Sequence, residues 1–370
     1  MDPLGLIPLA RTLVDIDSTT WRESDCSRWL AAYLRHLGWT VEELEVADGR
    51  ANVLAILDPP QVILSTHFDC VPPFIPSRVE GGMLYGRGSC DAKGMLAAQI
   101  QAAERLRAAG ERRVGMLFLV GEERGSDGAM LANTHPLAAG CRYLVNGEPT
   151  DSTLATAHRG VLRVKLIAKG LAAHTSRPEM GESAIDKLID VLIDLRQQKL
   201  PEDEVLGLTH YTVGLISGGV APNVVPAHAE AEVMFRTVGP THGLEPALDA
   251  LSDRVTIEHI LQVPAVRLKT VPGFPTQSFP FTTDIPFLDP GVSRCCSDQG
   301  PYRLLTPTTN TLRLRSWSVP STRTRQSRHT CFESDNFQLP IPNSQFCLLP
   351  ALARLSWELD VGCWELTLRT

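Results

Sequence analysis

Three short apolar runs, each followed by residues that can bind a metal ion, constrain the fold of this chain more than any other feature. The runs and their polar ends are 62–64 followed by His67 and Asp69, 116–120 followed by Glu122 and Glu123, and 143–145 followed by Glu148. Runs of this length are typical of buried β-strands. In open α/β sheets, ligands bind beyond the carboxyl ends of the strands. We therefore expect these polar side chains to meet at one edge of a sheet.

Size and composition predict a two-domain globular protein. The chain has 370 residues, of which 43% are hydrophobic and 21% charged. Its formal net charge of −7 and its lack of a dense Lys/Arg block argue against a nucleic-acid partner. No apolar run approaches the about 20 residues of a membrane span, and the N-terminal sequence does not resemble a signal peptide. We expect a cytoplasmic protein with no membrane partner, in which the nine cysteines stay reduced.

The N-terminal region predicts helices and strands that flank the metal-binding runs. Residues 4–16 have the spacing of an amphipathic helix, and Pro8 moves its expected start toward residue 7. Ser24 or Asp25 is expected to cap a second helix. The further elements expected here are strands at 39–46 and 51–57 and a helix at 92–109, which begins just after Asp91.

A different pattern begins near residue 160 and predicts a separate domain. Its expected elements are strands at 161–168, 211–216, 229–235 and 254–257 and helices at 183–197 and 244–251. Their order is that of a βαββαβ-like unit. The predicted fold class is α/β, with a mostly parallel sheet flanked by helices and a smaller inserted α+β dimerisation or lid domain. The predicted domain bounds are 1–160 and 271–289 for the catalytic domain, 161–270 for the inserted domain and 290–370 for an aberrant tail.

The residue types at the ends of the runs favour a two-metal hydrolytic site. His67 supplies an imidazole, and Asp69 points to the same side of an extended chain, where it can brace that imidazole. Asp91 can bridge two ions. Ligation by imidazole and carboxylate suits Zn²⁺. Alone, His67 would more often be a buried structural histidine than a ligand.

The glutamates complete this predicted site. Glu122 and Glu123 should face opposite ways on an extended segment, so that one binds metal while the other takes a proton from the attacking water. Glu148 can hold the second metal. A lone Glu-Glu pair would be an ordinary solvated surface, but its position at the end of an apolar run favours a metal role. The fragment Gly86-Arg87-Gly88 is a weak nucleotide-binding signal, because no strand–GxGxxG–helix unit surrounds it.

Several motifs make a family resemblance specific. They are HFDCVP, YGRGSCDAKG, GEERGS, NGEPT, GLAAHTSRPEMGESAI and GGVAPNVVPAHAEAEVMFR, which cover residues 5 to 290 in order. The chain resembles the zinc-dependent aminoacylase, acetylornithine deacetylase, succinyl-diaminopimelate desuccinylase and carboxypeptidase family. The resemblance implies a homodimer that binds two Zn²⁺ ions per subunit, with Co²⁺ as a substitute. It implies a metallopeptidase or deacylase that hydrolyses amide bonds in N-acyl amino acids or small peptides.

The resemblance also implies a role for each matching residue. His67, Asp91, Glu123 and Glu148 match metal ligands, Asp69 the residue that orients the histidine, and Glu122 the general base. His174 matches a histidine that stabilises the oxyanion, typically in the active site of the partner subunit. Asn223 and Arg236 match substrate-binding positions, the arginine gripping a carboxylate. Without the resemblance, these last three would be ordinary turn and strand residues.

The C-terminal region departs from the family after about residue 289. The family places its last metal-binding histidine near the C-terminus, but residues 291–370 contain a single histidine, His329, no lysine and five of the nine cysteines. In the neighbouring reading frame, the codons of residues 306–310 can encode His-Thr-Asp-(Asp or Asn)-Glu, which is the missing motif. We interpret the tail as frameshifted, poorly ordered or misfitted, and impairing activity. A genuine C-terminal extension is the competing interpretation.

Two other functions stay open from the sequence. The first is a catalytically dead homodimer that keeps the fold and one metal. The second is a small-molecule binding or regulatory module that uses the same pocket. The sequence names neither the acyl group nor the amino acid of the substrate.

Overall fold

The computed structural model describes residues 4–47, 49–288, 293–297 and 311–313, and of the last two segments it describes the backbone. The chain divides into two compact units. The first unit comprises Met1–Ser152, Val271–Phe274 and Ser297–Thr370, and the second comprises Thr153–Thr270 and Pro275–Cys296.

The first unit alternates helices and strands. Its elements are α1 (Leu6–Val14), α2 (Ser24–His36), β1 (Thr40–Ala47), β2 (Arg50–Ile56), β3 (Val62–His67), β4 (Arg78–Glu80), β5 (Met83–Tyr85), α3 (Lys93–Ala108), β6 (Val114–Leu119), α4 (Asp127–Ala132) and β7 (Tyr143–Gly147), with 3₁₀ turns at Glu122–Arg124 and Pro136–Gly140. Strands β1, β2, β6, β3 and β7 lie side by side in that order. Strand β3 runs parallel to β6 and β7, whereas β2 is antiparallel to both of its neighbours. The α/β fold class is confirmed, and the sheet is mixed, with its parallel strands around β3.

Helices α1, α2 and α3 pack against this sheet through one hydrophobic core. Leu9, Leu34, Leu96 and Phe118 are fully buried in it. Strands β3 and β6 are buried along their whole length, as expected for strands covered on both faces. Burying each such side chain stabilises the fold by about 1.5–3 kcal/mol. The apolar runs that precede the metal-binding residues are therefore held rigidly.

One predicted helix start is close to the structure, and one predicted helix cap differs from it. Helix α1 begins at Leu6, one residue from the start near residue 7 that Pro8 indicates, and it ends at Val14, two residues before the predicted end at 16. In α2, Glu23 occupies the N-cap position and no side chain caps the helix, so the expected cap at Ser24 or Asp25 is wrong. The reason is that Glu23 turns its carboxylate to Arg50, which donates to it from Nε and Nη2 at 2.9 Å each.

The second unit contains the predicted βαββαβ arrangement. Its elements are β8 (Leu154–His158), β9 (Gly160–Lys169), β10 (Ala173–His174), α5 (Ala184–Gln197), β11 (Glu202–Asp203), β12 (Gly207–Leu208), β13 (His210–Gly218), β14 (Val224–Val225), β15 (His228–Thr237), α6 (Glu245–Asp249), β16 (Val255–Val263), β17 (Val266–Arg267) and β18 (Thr276–Phe279), with 3₁₀ turns at Pro178–Met180, Thr241–Leu244 and Ile285–Phe287. Strands β13, β15, β9 and β16 form an antiparallel sheet in that order. The inward side chains of β9 and β15 alternate with outward ones and pack on α5 through Leu188, Val191 and Leu195.

The sequence analysis missed short strands of the second unit that lie outside this four-stranded sheet. Strand β8 pairs with β17 antiparallel and with β18 parallel. These segments are short and carry no clear alternation of apolar residues.

The predicted tail falls mostly outside the described residues. Within it, the structure describes the backbone strands β19 (Ser293–Ser297) and β20 (Thr311–Arg313), and β20 pairs antiparallel with β5. His329 and residues 306–310, where we expect a frameshifted motif, lie outside the described residues. None of the helices in the described ranges has the length and apolarity that a membrane crossing requires.

Candidate metal centre

The register between β3 and β7 brings His67 and Glu148 together. Ser65 pairs with Asn146 in this parallel ladder, and the same register carried two residues further sets His67 level with Glu148. Both side chains are buried, at 1% and 4% exposure. Parallel pairing places the carboxyl ends of neighbouring strands at the same edge, which is why residues far apart in sequence meet here.

Asp91 reaches the same point from the loop before α3. The Oδ1 atom of Asp91 lies 2.9 Å from Nε2 of His67. Gly88 allows the loop to pass closely over Cys70, because a Cβ atom on Gly88 would come within 2.6 Å of its Sγ atom. Among the described residues, one group of three offers ligand atoms that all lie within 4.8 Å of one another, and it is His67, Asp91 and Glu148.

This group suits a divalent cation. One imidazole and two carboxylates are the donor set of hard and borderline metals. Asp69, also buried, adds a further acidic side chain beside His67. Burying several carboxylates together is costly unless a positive charge compensates them. A divalent ion held by His67, Asp91 and Glu148 would supply that charge.

Glu148 is oriented by a buried polar chain. Asn146 donates from Nδ2 to Oε1 of Glu148 at 3.1 Å, and its Oδ1 accepts from the hydroxyl of Ser65 at 3.1 Å. Asn146 and Ser65 are both fully buried. A hydrogen-bonded partner of this kind fixes the direction of a ligand side chain.

Asp69 connects His67 to the turn that carries Glu122 and Glu123 (the glutamate turn). Its Oδ1 lies 3.3 Å from Nδ1 of His67. The same carboxylate accepts from the backbone N–H of Glu122 at 3.0 Å, from that of Glu123 at 3.2 Å and from the hydroxyl of Thr20 at 3.0 Å. Nδ1 of His67 also lies 3.1 Å from the backbone carbonyl of Asp69. Asp69 thus orients the imidazole through its carbonyl and its carboxylate, and the turn through its carboxylate.

Glu122 and Glu123 do not lie on an extended segment, so that expectation is wrong. They form a 3₁₀ turn, Glu122–Arg124, that follows Gly121 with φ +76°. Glycine adopts this left-handed conformation without steric cost. The turn lets Asp69 accept from both backbone N–H groups, and it still presents two carboxylates from adjacent positions.

The charges of the centre shift two pKa values. Burial favours the neutral imidazole of His67, but its hydrogen bonds with Asp69 and Asp91 and the charges of Asp91 and Glu122 raise its pKa well above 6.5. Burial and the charges of Asp91 and Asp69 raise the pKa of Glu123 to about 7. Both groups hold protons that a metal ion would displace.

The predicted substrate-binding residues lie in the second unit. His174 is exposed on β10, with Nδ1 2.8 Å from the Ser176 hydroxyl. Strand β10 pairs with β14, and the N–H of Thr175 donates to the carbonyl of Asn223 at 3.1 Å. The structure therefore places His174 and Asn223 close together.

Arg236 stands apart from these two on β15. Its side chain is half-buried, and its Nη1 atom lies 3.5 Å from the Thr282 hydroxyl. It faces His210 across the β13–β15 ladder. Burial and the charges of Arg159 and Arg236 lower the pKa of His210. This is an electropositive part of the second unit.

Sequence reasoning missed three residues around the glutamate turn. Thr20 binds Asp69, and Arg50 and Asn52 on β2 contact the segment 120–128. Arg50 directly precedes the apolar run 51–57, and a charge at the start of a buried strand could have indicated a buried ion pair. Nothing in the local sequence marks Thr20.

The fold and the buried His–Asp–Glu centre define a metal-dependent hydrolase, and comparison with known proteins agrees. The model of peptidase family M20/M25/M40 matches residues 63–299. A peptidase M20 domain-containing protein of Schizosaccharomyces pombe is 36% identical over 299 residues, which cover 77% of this chain and 74% of the relative. A protein of Aspergillus fumigatus named "Probable carboxypeptidase" is 35% identical over 331 residues, covering 76% of this chain and 75% of the relative.

A solved structure shares the fold. The crystal structure of a tripeptidase from Staphylococcus aureus superposes with a TM-score of 0.71 at 20% identity, covering 83% of this chain and 92% of that one. The chain belongs to peptidase family M20/M25/M40, and it is a metal-dependent hydrolase of peptide or amide bonds. The family expected from the motifs is confirmed.

Proposed function

We propose that this chain cleaves the amide bond of N-acyl amino acids or small peptides that carry a free carboxylate. The observation that carries the proposal is the buried group His67, Asp91 and Glu148 next to a turn that holds two further glutamates. The carboxypeptidase name of a 35% identical relative supports a substrate with a C-terminal carboxylate. The cytoplasmic location expected from the sequence stays a prediction.

The proposed cofactor is a pair of Zn²⁺ ions, with Co²⁺ as a substitute. His67, Asp91 and Glu148 would hold one ion, and Asp91 and Glu123 would contribute to the other. When bound, such ions polarise a carbonyl and lower the pKa of water. The ligand that completes the second site is expected in the C-terminal region, outside the described residues.

Glu122 is the proposed general base. It takes a proton from the attacking water and returns it to the leaving amine. Its backbone N–H donates to the carboxylate of Asp69 at 3.0 Å. This bond fixes the backbone from which the Glu122 carboxylate extends. Preorganised groups of this kind lower the cost of reaching the transition state.

The second unit supplies the proposed substrate contacts. His174 would stabilise the oxyanion, acting in the active site of the partner subunit, and Asn223 would bind the substrate beside it. Arg236 would grip the substrate carboxylate through its guanidinium. The half-buried side chain of Arg236, among other cationic groups, supports this role because it favours an anionic ligand.

We also propose a homodimer formed through the second unit. Strand β13 is an edge strand of its sheet, and Leu215 and Ile216 are 61% and 62% exposed on it. The helix α5 adds exposed Ile189 and Ile193. An exposed apolar sheet edge is a template for pairing with a second chain.

The tail is proposed to be frameshifted and to impair the enzyme. The family model ends at residue 299, close to the point where the motifs stop, which supports this. Sequencing the gene across codons 285 to 330 tests the reading frame, and an independently confirmed frame would refute the frameshift.

The direct test of function compares two proteins on one substrate panel. This chain and a version with its tail restored to the other frame are assayed with N-acetyl and N-succinyl amino acids and dipeptides, with Zn²⁺ or Co²⁺ added. Turnover by the restored version alone supports both the function and the frameshift. Turnover by both contradicts the role of the tail. Tight binding without turnover by either favours a small-molecule binding module.

Metal content distinguishes an active enzyme from the remaining alternative, a catalytically dead homodimer. Zinc near one ion per chain, without turnover, favours a catalytically dead homodimer that keeps the His67, Asp91 and Glu148 site. Glu122→Gln in the restored protein is the matched control, since it should keep its metal and lose turnover.

A further inference from the structure

Arg50 bridges two carboxylates. One belongs to Glu23, at the start of α2, and the other to Asp127, just after the glutamate turn. Its Nη1 atom donates to Oδ2 of Asp127 at 2.8 Å, and its Nε and Nη2 atoms donate to Glu23. Arg50 is 4% exposed and Glu23 is fully buried. The ring of Trp21 covers the guanidinium, with its centroid 4.5 Å from Cζ. The contact with Glu23 is buried and bidentate, which is stronger and more directional than a surface ion pair, whereas the side chain of Asp127 is 32% exposed.

Asp127 is the residue through which Arg50 reaches the turn. It is the first residue of α4, directly after the segment 121–126 that carries Glu122 and Glu123. A Cβ atom on Gly121 would come within 1.8 Å of Oδ1 of Asp127 and within 3.0 Å of Nη2 of Arg50. The start of the turn is therefore pressed against the ion pair, without room for a side chain.

Asn52, two residues along β2, holds both ends of the same segment. Its Oδ1 accepts from the N–H of Val120 at 3.1 Å, and its Nδ2 donates to the carbonyl of Gly128 at 2.8 Å. The ladder between β2 and β6 ends at Val53 opposite Phe118. Beyond that pair, the backbones of β2 and of segment 120–128 are no longer paired. The side chains of Asn52 and Arg50 connect them instead.

We propose that Arg50, acting through Asp127, is a positioning residue that sets the place of the Glu122 and Glu123 carboxylates. The turn is then held from two sides: by Arg50 and Asn52 of β2, and by Asp69, which accepts from the N–H groups of Glu122 and Glu123. The inference deepens the proposed function and rests on it for the roles of these glutamates. The group His67, Asp91 and Glu148 does not include this turn.

A lysine cannot replace Arg50 in this geometry. The guanidinium donates to two carboxylates at once because its N–H groups are fixed in one plane, whereas an ammonium group is a single point of charge. Arg50→Lys should keep the buried charge balanced but lose one of the two attachments. An ion pair that served only the stability of the whole first unit would instead change exchange evenly over that unit.

The first test measures the turn without requiring catalysis. Hydrogen exchange is followed by mass spectrometry in the metal-free full chain for wild type, Asp127→Asn and Arg50→Lys. We expect exchange in segment 120–128 to accelerate about tenfold or more in both variants, while β3 and α3 keep their wild-type rates. Asp127→Asn leaves Arg50 paired with buried Glu23, so it keeps the charge balance of the core.

Arg112→Lys is the matched control. Arg112 makes a comparable two-bond contact with Asp58, at 2.9 and 3.1 Å, but on an exposed part of the first unit. It should leave the exchange of 120–128 unchanged. Equal exchange in wild type and Asp127→Asn would overturn the proposal, as would faster exchange spread evenly over the whole first unit.

The second test uses the tail-restored enzyme and separates positioning from binding. Asp127→Asn should lower kcat about tenfold with KM within about twofold, because the substrate-binding residues of the second unit are untouched. A change in KM alone would contradict a positioning role. If the restored wild type shows no turnover, the proposed function fails, and the exchange experiment still decides whether Arg50 holds the turn.

Discussion

The carboxylate of Asp69 accepts a hydrogen bond from the backbone N–H of Glu122 at 3.0 Å. The same side chain lies 3.3 Å from Nδ1 of His67. Asp69, whose backbone carbonyl also lies 3.1 Å from Nδ1 of His67, therefore couples the placement of the proposed metal-binding imidazole to that of the proposed general base. Removing its charge should disturb both.

Asp69→Asn should lower kcat/KM by about 10–100-fold, with a smaller effect on folding. An asparagine keeps the volume but offers one acceptor oxygen, so it cannot accept from Glu122 and Glu123 and also face His67. Steady-state kinetics and zinc content of the tail-restored enzyme measure the effect. Asp58→Asn, which alters an exposed carboxylate paired with Arg112, should leave both quantities unchanged. Wild-type activity in Asp69→Asn would remove Asp69 from the site.

The adjacent glutamates should give opposite phenotypes. Glu122→Gln should keep the wild-type metal content and lose turnover by about 10²–10⁴-fold, because a general base contributes on that scale. Glu123→Gln should lose metal from one of two sites. Metal analysis by mass spectrometry and single-turnover kinetics distinguish them. If Glu123→Gln keeps two ions and Glu122→Gln loses one, the two roles are exchanged.

Metal binding should release protons and strengthen as pH rises. In the metal-free protein the pKa of His67 lies well above 6.5 and that of Glu123 is raised to about 7. A metal ion binds the neutral imidazole and the ionised carboxylate, so both groups lose protons on binding, and affinity increases with pH through this range. Zinc titration calorimetry in buffers of different ionisation enthalpy counts the protons. Glu123→Gln should release fewer protons at pH 7, and an unchanged count would remove Glu123 from the metal site.

A lysine on the edge of the second unit should prevent dimerisation. Ile216 is 62% exposed on edge strand β13, and an inserted charge would have to be buried in a paired sheet. We expect Ile216→Lys to be monomeric by light scattering where wild type is dimeric. Ile260→Lys is the matched control, since Ile260 is 43% exposed on β16, the opposite edge. A monomeric Ile260→Lys with a dimeric Ile216→Lys would assign the interface to β16.

Local pattern was enough to predict much of both units. The apolar runs before His67 and Glu122 form β3 and β6, because they contain enough consecutive buried residues for strands covered on both faces. The alternation in 161–168 predicted β9 for the same kind of reason, since its inward side chains pack on α5. Most boundaries differed by one or two residues, whereas the strand predicted at 254–257 extends to Val263 in β16. Strands β8, β17 and β18 were among those missed, because short strands carry too few residues to show a period.

The failures concern residues whose conformation depends on distant partners. Glu122 and Glu123 were expected on an extended segment, yet they turn after Gly121, which packs against Asp127 and Arg50. Ser24 or Asp25 was expected to cap α2, yet Glu23 takes that position and binds Arg50, 27 residues away. No window of local sequence contains both partners of such a contact.

The sequence by itself determined which residue types stand at the ends of the apolar runs, and with them the family and the class of chemistry. Only the tertiary structure decided that His67 lies level with Glu148 across β3 and β7, and that Asp91 approaches His67 to 2.9 Å from a separate loop. The physical reason is that strand periodicity is a property of neighbouring residues, whereas register and loop placement follow from packing between segments far apart in the chain. A metal centre assembled from such segments exists only when the sheet has formed.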